Sequence, residues 1–235
     1  MNKTDPKIIV ALDFATAEQA LQLVDQLSPQ SCRLKVGKEL FTTAGPALVA
    51  SLVERGFEVF LDLKFHDIPN TVHKAVSAAC ELGVWMVNVH ALGGRKMLQA
   101  AREAVDNYPA EKRPLLIAVS VLTSTDAEGL RELGIDKTIE QTVVDLTRMA
   151  LDSGLDGMVC SALEAPMLRE QFGQRPLLVT PGIRPAGASS DDQHRIMTPQ
   201  KAISQGSSYL VIGRPITQHA NPAQALVEIN DSLAP

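Results

Sequence analysis

The chain has 235 residues, of which 45% are hydrophobic and 21% are charged, values that are typical of a water-soluble globular core. Its length suits one large domain or two small ones. The formal net charge of −5 provides no basic surface for nucleic acid, so a nucleic-acid-binding function is not expected.

Cysteine spacing and hydropathy give further expectations. Cys32, Cys80 and Cys160 are odd in number and far apart, so neither a zinc site nor a disulfide framework is indicated. No apolar run reaches the roughly 18 residues of a membrane span. The N-terminal stretch MNKTDPKIIVALD becomes acidic too soon for a signal peptide. We therefore expect a cytoplasmic protein with reduced thiols and no membrane partner.

Short apolar runs alternate with helical patterns along the chain, and eight of these runs are predicted to be β-strands. Most are rich in Val, Ile and Leu on both faces, which is typical of parallel strands that helices cover. The predicted strands are Ile8–Asp13, Arg33–Gly37, Val59–Phe65, Met86–Ala91, Leu115–Leu122, Gly157–Ser161, Leu177–Thr180 and Ser208–Gly213.

Helix signals occupy the segments between these strands. Thr16 with Gln19 fits a capping box, and Thr198 before Pro199 marks another helix start. Eight βα units without a linker predict an α/β fold, a single (β/α)₈ TIM-barrel domain over residues 1–235. A doubly wound open sheet is the alternative. The turn after the first predicted strand, DFATAEQ, lacks the glycine fingerprint that such a sheet uses for a dinucleotide.

Charged residues stand at the C-terminal ends of the predicted strands, where barrels of this class place their active sites. Side chains alternate between the two faces of a strand, so Asp62 and Lys64 share the face that points into the barrel mouth. The same alternation turns Asp13 and Lys35 inward. The opposite ends of the strands are predicted to carry few polar residues. A structural salt-bridge network is the alternative interpretation. Four alternating charges on three neighbouring strands favour a fixed electric field that serves chemistry.

Two predicted loops suit a phosphate group. TPGIRPAG follows the seventh strand and IGRPI follows the eighth, the two positions at which such barrels often bind phosphate. Gly182 and Gly213 allow close approach of the backbone, and Arg184 and Arg214 supply forked donors.

A long polar segment without periodicity, residues 184–197, lies between these loops. Long loops in compact domains are usually functional or disordered. We predict that this segment is a lid, with Gln193 or His194 able to reach the ligand when it closes.

Ordered motifs resemble those of a known family. FLDLKFHDIPNTV contains D-x-K-x-x-D-I-P-x-T, and ALDF, LKVGKELF, VLTS, TPGIRP and VIGRPI occur at the strands where the pattern expects them. Over essentially its whole length the chain is similar to the bacterial orotidine 5′-monophosphate decarboxylases. The resemblance implies a cofactor-free conversion of orotidine 5′-monophosphate to uridine 5′-monophosphate and CO₂ in de novo pyrimidine biosynthesis.

The resemblance also implies residue roles. Lys64 is implied to protonate C6 of the pyrimidine, and Asp62 to lie against the substrate carboxylate. Lys35 and Asp67 complete an alternating Lys-Asp-Lys-Asp array. The implied substrate-binding residues are Asp13, Lys35, Ile68, Thr71, Thr123, Pro181, Arg184, Gln193, Gly213 and Arg214. A homodimer is implied in which Asp67 and Thr71 reach the neighbouring subunit's site, and no metal or other cofactor is implied.

Two other functions remain open at this point. Related barrels that act on sugar phosphates share D-x-K-x-x-D but use Mg²⁺ with an acidic residue near the end of the second strand, where this chain has Lys35. A non-enzymatic nucleotide-binding protein on the same scaffold needs the phosphate loops but not the buried charges.

Overall fold

Eight parallel strands form a closed barrel in the computed structural model, which describes residues 5–185 and 197–233. Each strand pairs with the next, and the eighth pairs with the first. The strands are β1 Ile8–Ala11, β2 Arg33–Gly37, β3 Val59–Phe65, β4 Met86–His90, β5 Leu115–Val119, β6 Gly157–Val159, β7 Leu177–Thr180 and β8 Tyr209–Ile212. The (β/α)₈ prediction is confirmed, and the open-sheet alternative is wrong.

Helices follow the strands around the outside of the barrel. They are α1 Ala17–Val24, α2 Lys38–Glu54, α3 Pro69–Glu81, α4 Gly94–Asp106, α5 Ala127–Glu132, α6 Ile139–Asp152, α7 Ala165–Phe172, α8 Pro199–Ser204, α9 Arg214–Thr217 and α10 Pro222–Ser232. Two short 3₁₀ turns occupy Ala91–Gly93 and Ala110–Lys112. Among the described residues, no helix has the length and apolar character needed to cross a membrane.

Local sequence signals account for several element boundaries. The Thr16 hydroxyl caps α1 by accepting a hydrogen bond from the Gln19 backbone N–H at 3.3 Å, and α8 begins at Pro199 directly after Thr198. Three predicted strands have the observed bounds, whereas β1, β5 and β6 end two or three residues earlier than predicted. Leu12, Ser120 and Cys160, the first residues after these strands, still donate one backbone hydrogen bond each to the neighbouring strand. The predicted residues beyond them form loops, so the apolar runs extend further than the strands.

Side-chain alternation builds two apolar layers. Residues such as Val10, Leu34 and Leu61 pack between the strands and the helices. A smaller cluster fills the barrel interior and consists of Ile9, Ala11, Phe60, Met86, Ile117, Val179, Tyr209 and Val211. The predicted inward and outward faces of β1, β2 and β3 are thereby confirmed, and the charged mouth lies above the apolar cluster that fills the barrel interior.

The N-terminal end of the barrel carries a cluster of charged side chains, which corrects the prediction that this end has few polar residues. The Arg33 guanidinium bonds to the Glu58 carboxylate at 2.6 Å and to the Asp5 carboxylate at 3.0 Å. It also lies 4.1 Å from the centre of the Trp85 ring and 4.8 Å from that of Tyr209. Paired and stacked in this way, a buried cation closes the end of the barrel opposite to the mouth.

Candidate active site

A cavity of about 680 Å³ opens at the C-terminal mouth of the barrel. This volume is within the usual range for small-molecule sites. Most of the predicted site residues line it, namely Asp13, Lys35, Asp62, Lys64, Thr123, Pro181, Arg184, Gly213 and Arg214. Residues that are far apart in sequence therefore converge on one cavity, as predicted from the strand ends.

The charged side chains form a continuous chain across the mouth. The Lys64 ammonium lies 2.6 Å from Asp62 Oδ1, and the Lys35 ammonium lies 3.6 Å from Asp62 Oδ2. Lys35 also bonds to Asp13 Oδ1 at 3.0 Å. The order is therefore Lys64, Asp62, Lys35, Asp13, with each lysine on a different oxygen of Asp62.

Asp62 is buried and remains ionised. Burial raises the pKa of its carboxyl group, but the positive charges of Lys35 and Lys64, with hydrogen bonds from Lys64 and Asn88, outweigh burial and hold the pKa below its ordinary value. Asp13 at the other end of the chain of charges has a side chain that is 64% exposed. The strongest field is therefore concentrated around Asp62 and its two lysines.

Glycine at position 37 makes room for this arrangement. A Cβ atom added to Gly37 would lie 3.1 Å from Lys35 Nζ and 3.5 Å from Asp13 Oδ1. The first of these distances is shorter than an ordinary van der Waals contact, so a larger residue has to displace the ammonium.

An irregularity in β3 brings Lys64 to Asp62. The β3–β4 register shifts between Leu61 and Phe65, and Lys64 has a φ of +52°. The Lys64 backbone N–H donates to Asn88 Oδ1 at 2.8 Å, and Asn88 Nδ2 donates to Asp62 Oδ1 at 2.7 Å. Asn88 lies within the predicted strand Met86–Ala91, and no role was predicted for it. The available signal was its parity, since Asn88 shares the inward face of β4 with Met86.

The β7 and β8 loops form the other side of the cavity. Gly182 has a φ of +76°, a conformation that favours glycine, and the Arg184 backbone N–H donates to the Met197 carbonyl at 3.0 Å. Arg184 is buried, and Arg214 begins α9 directly after Gly213. Arg184 and Arg214 thus line the same cavity as the Lys64–Asp62 pair.

Comparison with known proteins assigns the family. The model of the "Orotidine 5'-phosphate decarboxylase / HUMPS family" matches residues 6–229. The chain belongs to that family. A relative from Vibrio campbellii named orotidine 5′-phosphate decarboxylase is 58% identical over 230 residues, which cover 98% of each chain. A relative of the same name from Aliivibrio fischeri is 59% identical over 230 residues, again 98% of each.

The fold agrees with that of a solved family member. The crystal structure of orotidine 5′-phosphate decarboxylase from Lactobacillus acidophilus has a TM-score of 0.88 to this chain at 39% sequence identity. The match covers 98% of this chain and 100% of the other. The predicted family is therefore confirmed by both sequence and fold.

Some residues that the family resemblance implies do not line the cavity. Asp67, Ile68 and Thr71 are exposed at the end of β3 and the start of α3, and Ile68 is 66% exposed. Asp67 Oδ1 accepts a hydrogen bond from the Ile68 backbone N–H at 2.6 Å. Gln193 and His194, with most of the predicted lid 184–197, lie outside the described residues. The single chain thus presents the Lys64–Asp62–Lys35 part of the implied array without Asp67.

Proposed function

We propose that the chain decarboxylates orotidine 5′-monophosphate to uridine 5′-monophosphate and CO₂ with its own charged side chains and without a cofactor. The observation that carries this proposal is the buried, ionised Asp62 carboxylate between the ammonium groups of Lys64 and Lys35. Membership of the family and the names of its relatives support the reaction. We propose in addition a cytoplasmic location, a single domain and a role in pyrimidine biosynthesis.

Lys64 supplies the charge and the proton for the reaction. When the bond between C6 and the carboxylate carbon breaks, its electron pair stays in an sp² orbital of C6 that has no conjugated sink. The Lys64 ammonium stabilises this negative charge, and its N–H bond then breaks as the proton forms the new C6–H bond. CO₂ leaves, and the neutral amine regains a proton from solvent. Fixed charges in a partly dry site are well suited to this work because they need no reorganisation.

Asp62 acts on the substrate before the bond breaks. Two unit charges about 4 Å apart interact by about 4 kcal/mol at an effective dielectric near 20. A substrate carboxylate beside the ionised Asp62 is therefore disfavoured, and this repulsion ends when CO₂ departs. We assign the larger share of catalysis to stabilisation of the carbanion by Lys64, because charge stabilisation is usually the larger effect.

The remaining cavity residues hold the nucleotide. Arg184, Arg214 and Gly213, with Pro181 beside them, form the phosphate site, and Gln193 joins them from the lid. Asp13 and Lys35 bind the ribose, and Thr123 holds the base. Binding energy from the phosphate, remote from C6, then orients the base and closes the site.

A second copy of the chain completes the charge array in this proposal. Asp67, Ile68 and Thr71 are exposed and lie outside the cavity of their own chain. In a homodimer Asp67 and Thr71 reach the neighbouring cavity, where Asp67 becomes the fourth member of the Lys-Asp-Lys-Asp array.

The test is a spectroscopic assay with purified protein. The ultraviolet absorbance of orotidine 5′-monophosphate changes as the pyrimidine loses its carboxylate, and we expect turnover by the wild type both with and without EDTA. Lys64→Ala should abolish turnover while binding of uridine 5′-monophosphate is retained. Lys137→Ala is the matched control, because it removes a lysine from an exposed ion pair with Asp145 away from the cavity.

Three results would contradict the proposal. Binding without turnover by the wild type favours a nucleotide-binding protein. Loss of activity in EDTA favours the Mg²⁺-dependent chemistry of related barrels. Substantial residual turnover by Lys64→Ala removes the assigned proton donor.

A further inference from the structure

Asn88 lies where β3 and β4 lose their regular pairing. Leu61 pairs with Val87, and Phe65 pairs with Val89, so the three β3 residues between these pairs face Asn88 alone. A bulge of this kind leaves backbone groups without a partner in the ladder. Asn88 is fully buried there, so its polar atoms depend on protein partners.

The Asn88 amide supplies one donor and one acceptor at this point. Nδ2 donates to Asp62 Oδ1 at 2.7 Å, and Oδ1 accepts the Lys64 backbone N–H at 2.8 Å. A reversed amide would place oxygen against oxygen and N–H against N–H, so one orientation satisfies both contacts. The same Asp62 oxygen accepts the Lys64 ammonium at 2.6 Å. The three residues therefore form a closed ring of hydrogen bonds.

The backbone of Lys64 depends on this ring. Its φ of +52° is the one positive value at a non-glycine residue within residues 5–185 and 197–233. A residue other than glycine adopts this backbone conformation at a cost in free energy, and it keeps the conformation only when the surrounding structure stabilises it. The hydrogen bond from the Lys64 N–H to Asn88 fixes the orientation of this peptide group. The orientation of the peptide group in turn determines the direction in which the Lys64 side chain leaves the backbone.

We propose that Asn88 is a positioning residue for the decarboxylation, which holds the Lys64 ammonium and the Asp62 carboxylate in their relative positions through these two hydrogen bonds. The inference rests on the proposed function. Asn88 does not line the cavity, and it acts on the substrate only through Asp62 and Lys64. Its hydrogen bond also favours the ionised form of Asp62.

The first test separates positioning from binding. A displacement of about 1 Å in a catalytic group can cost about 100-fold in rate, so Asn88→Ala should lower kcat by about that factor. KM should stay within about threefold of wild type, because the phosphate and ribose contacts are unchanged. Thr147→Val is the matched control. It removes a buried hydroxyl that donates to the Val143 carbonyl at 2.7 Å in α6, and it should leave both constants unchanged.

A near-isosteric variant, Asn88→Asp, provides a second test. The charged groups around the new carboxyl are Asp62 and Lys64 on β3, with Lys35 on β2 beyond Asp62. When ionised, the new group repels Asp62 and cannot donate to it. When protonated, it can donate to Asp62 and still accept the Lys64 N–H. The kcat of Asn88→Asp relative to wild type should therefore rise as the pH is lowered from about 8 to about 5.5.

Crystal structures of both variants test the positioning without reference to turnover. In Asn88→Ala we expect Lys64 to lose its positive φ and its Nζ to move beyond about 4 Å from Asp62 Oδ1. Should that variant fail to fold, Asn88→Asp at neutral pH gives the same measurement. An unchanged Lys64–Asp62 geometry, a kcat of Asn88→Ala near wild type, or a pH-independent ratio for Asn88→Asp would each overturn the proposal. A wild type that does not decarboxylate the nucleotide refutes the proposed function instead, and the crystal structures still decide the positioning.

Discussion

Gly37→Ala tests whether the position of Lys35 matters, without removing any charge. Gly37 has a φ of −94°, which alanine can adopt, so the variant introduces a contact and no backbone strain. The new methyl group would lie 3.1 Å from Lys35 Nζ. We expect the ammonium to move by about half an ångström, since a carbon–nitrogen contact is comfortable near 3.5 Å.

The distances around Lys35 set the size of the effect. The ammonium lies 3.0 Å from Asp13 and 3.6 Å from Asp62. Moving it about 0.5 Å away weakens each attraction by about 0.6–0.8 kcal/mol at an effective dielectric near 20. The Asp13 side chain is 64% exposed, so solvent screens that pair and its share is smaller. We expect the attraction of the displaced Lys35 ammonium for the transition state to fall by a comparable amount, about 1 kcal/mol, which corresponds to about a fivefold fall in kcat/KM.

The assay compares two alanine variants. Steady-state decarboxylation gives kcat/KM for the wild type, Gly37→Ala and Gly129→Ala. Gly129 in α5 is the matched control, because an added Cβ would lie 3.3 Å from Thr125 Cγ2 and 3.5 Å from Asp126 Oδ1, and Gly129 does not line the cavity. We expect only Gly37→Ala to lose activity. Equal activity in both variants, or an equal loss, would show that the calculation from Lys35 is wrong.

Two further predictions concern the phosphate site and the response to acid. Arg214→Ala should raise the KM for orotidine 5′-monophosphate about 10- to 100-fold with a smaller change in kcat, because a charge-assisted hydrogen bond contributes about 1.5–3 kcal/mol. An unchanged KM would show that Arg214 does not bind the phosphate. Burial, with the charges of His66, Lys38 and Lys64, lowers the pKa of His90 from 6.5 to about 4. The unfolded chain therefore binds more protons than the folded chain between these values, so stability falls as the pH drops through this window. His90→Gln should flatten that fall in urea unfolding between pH 6.5 and 4, and a slope equal to that of the wild type would contradict the assignment.

The fold and most of the cavity could be predicted because they depend on local patterns. Runs of Val, Ile and Leu mark buried parallel strands, and side-chain alternation then assigns inward faces, as at Asp62 and Lys35. The C-terminal ends of the parallel strands meet at one end of the barrel, so most of the residues predicted at the strand ends line the cavity.

Features that arise from pairing between elements were not predicted. The bulge at Lys64 depends on the register between β3 and β4, to which neither strand's own pattern points. The Arg33 cluster joins Glu58, Trp85 and Tyr209 from separate strand starts, and only closure of the barrel brings them together. Asp67 has no place in its own chain's cavity, and its proposed role requires a second chain.

The charge array links the stability of the barrel mouth to the proposed reaction. In the free protein, Asp62 has two ammonium partners, and these hold its buried charge in place. In the proposed reaction a substrate carboxylate beside Asp62 competes with it for the Lys64 ammonium, so the Lys64–Asp62 pair is weakened while the substrate is intact. When the bond to C6 breaks, the negative charge moves from the carboxylate oxygens beside Asp62 to the carbon beside Lys64, and the neutral CO₂ needs no cation. The arrangement that stabilises Asp62 in the fold therefore disfavours the reactant more than the carbanion, which is the property that a decarboxylase without an electron sink requires.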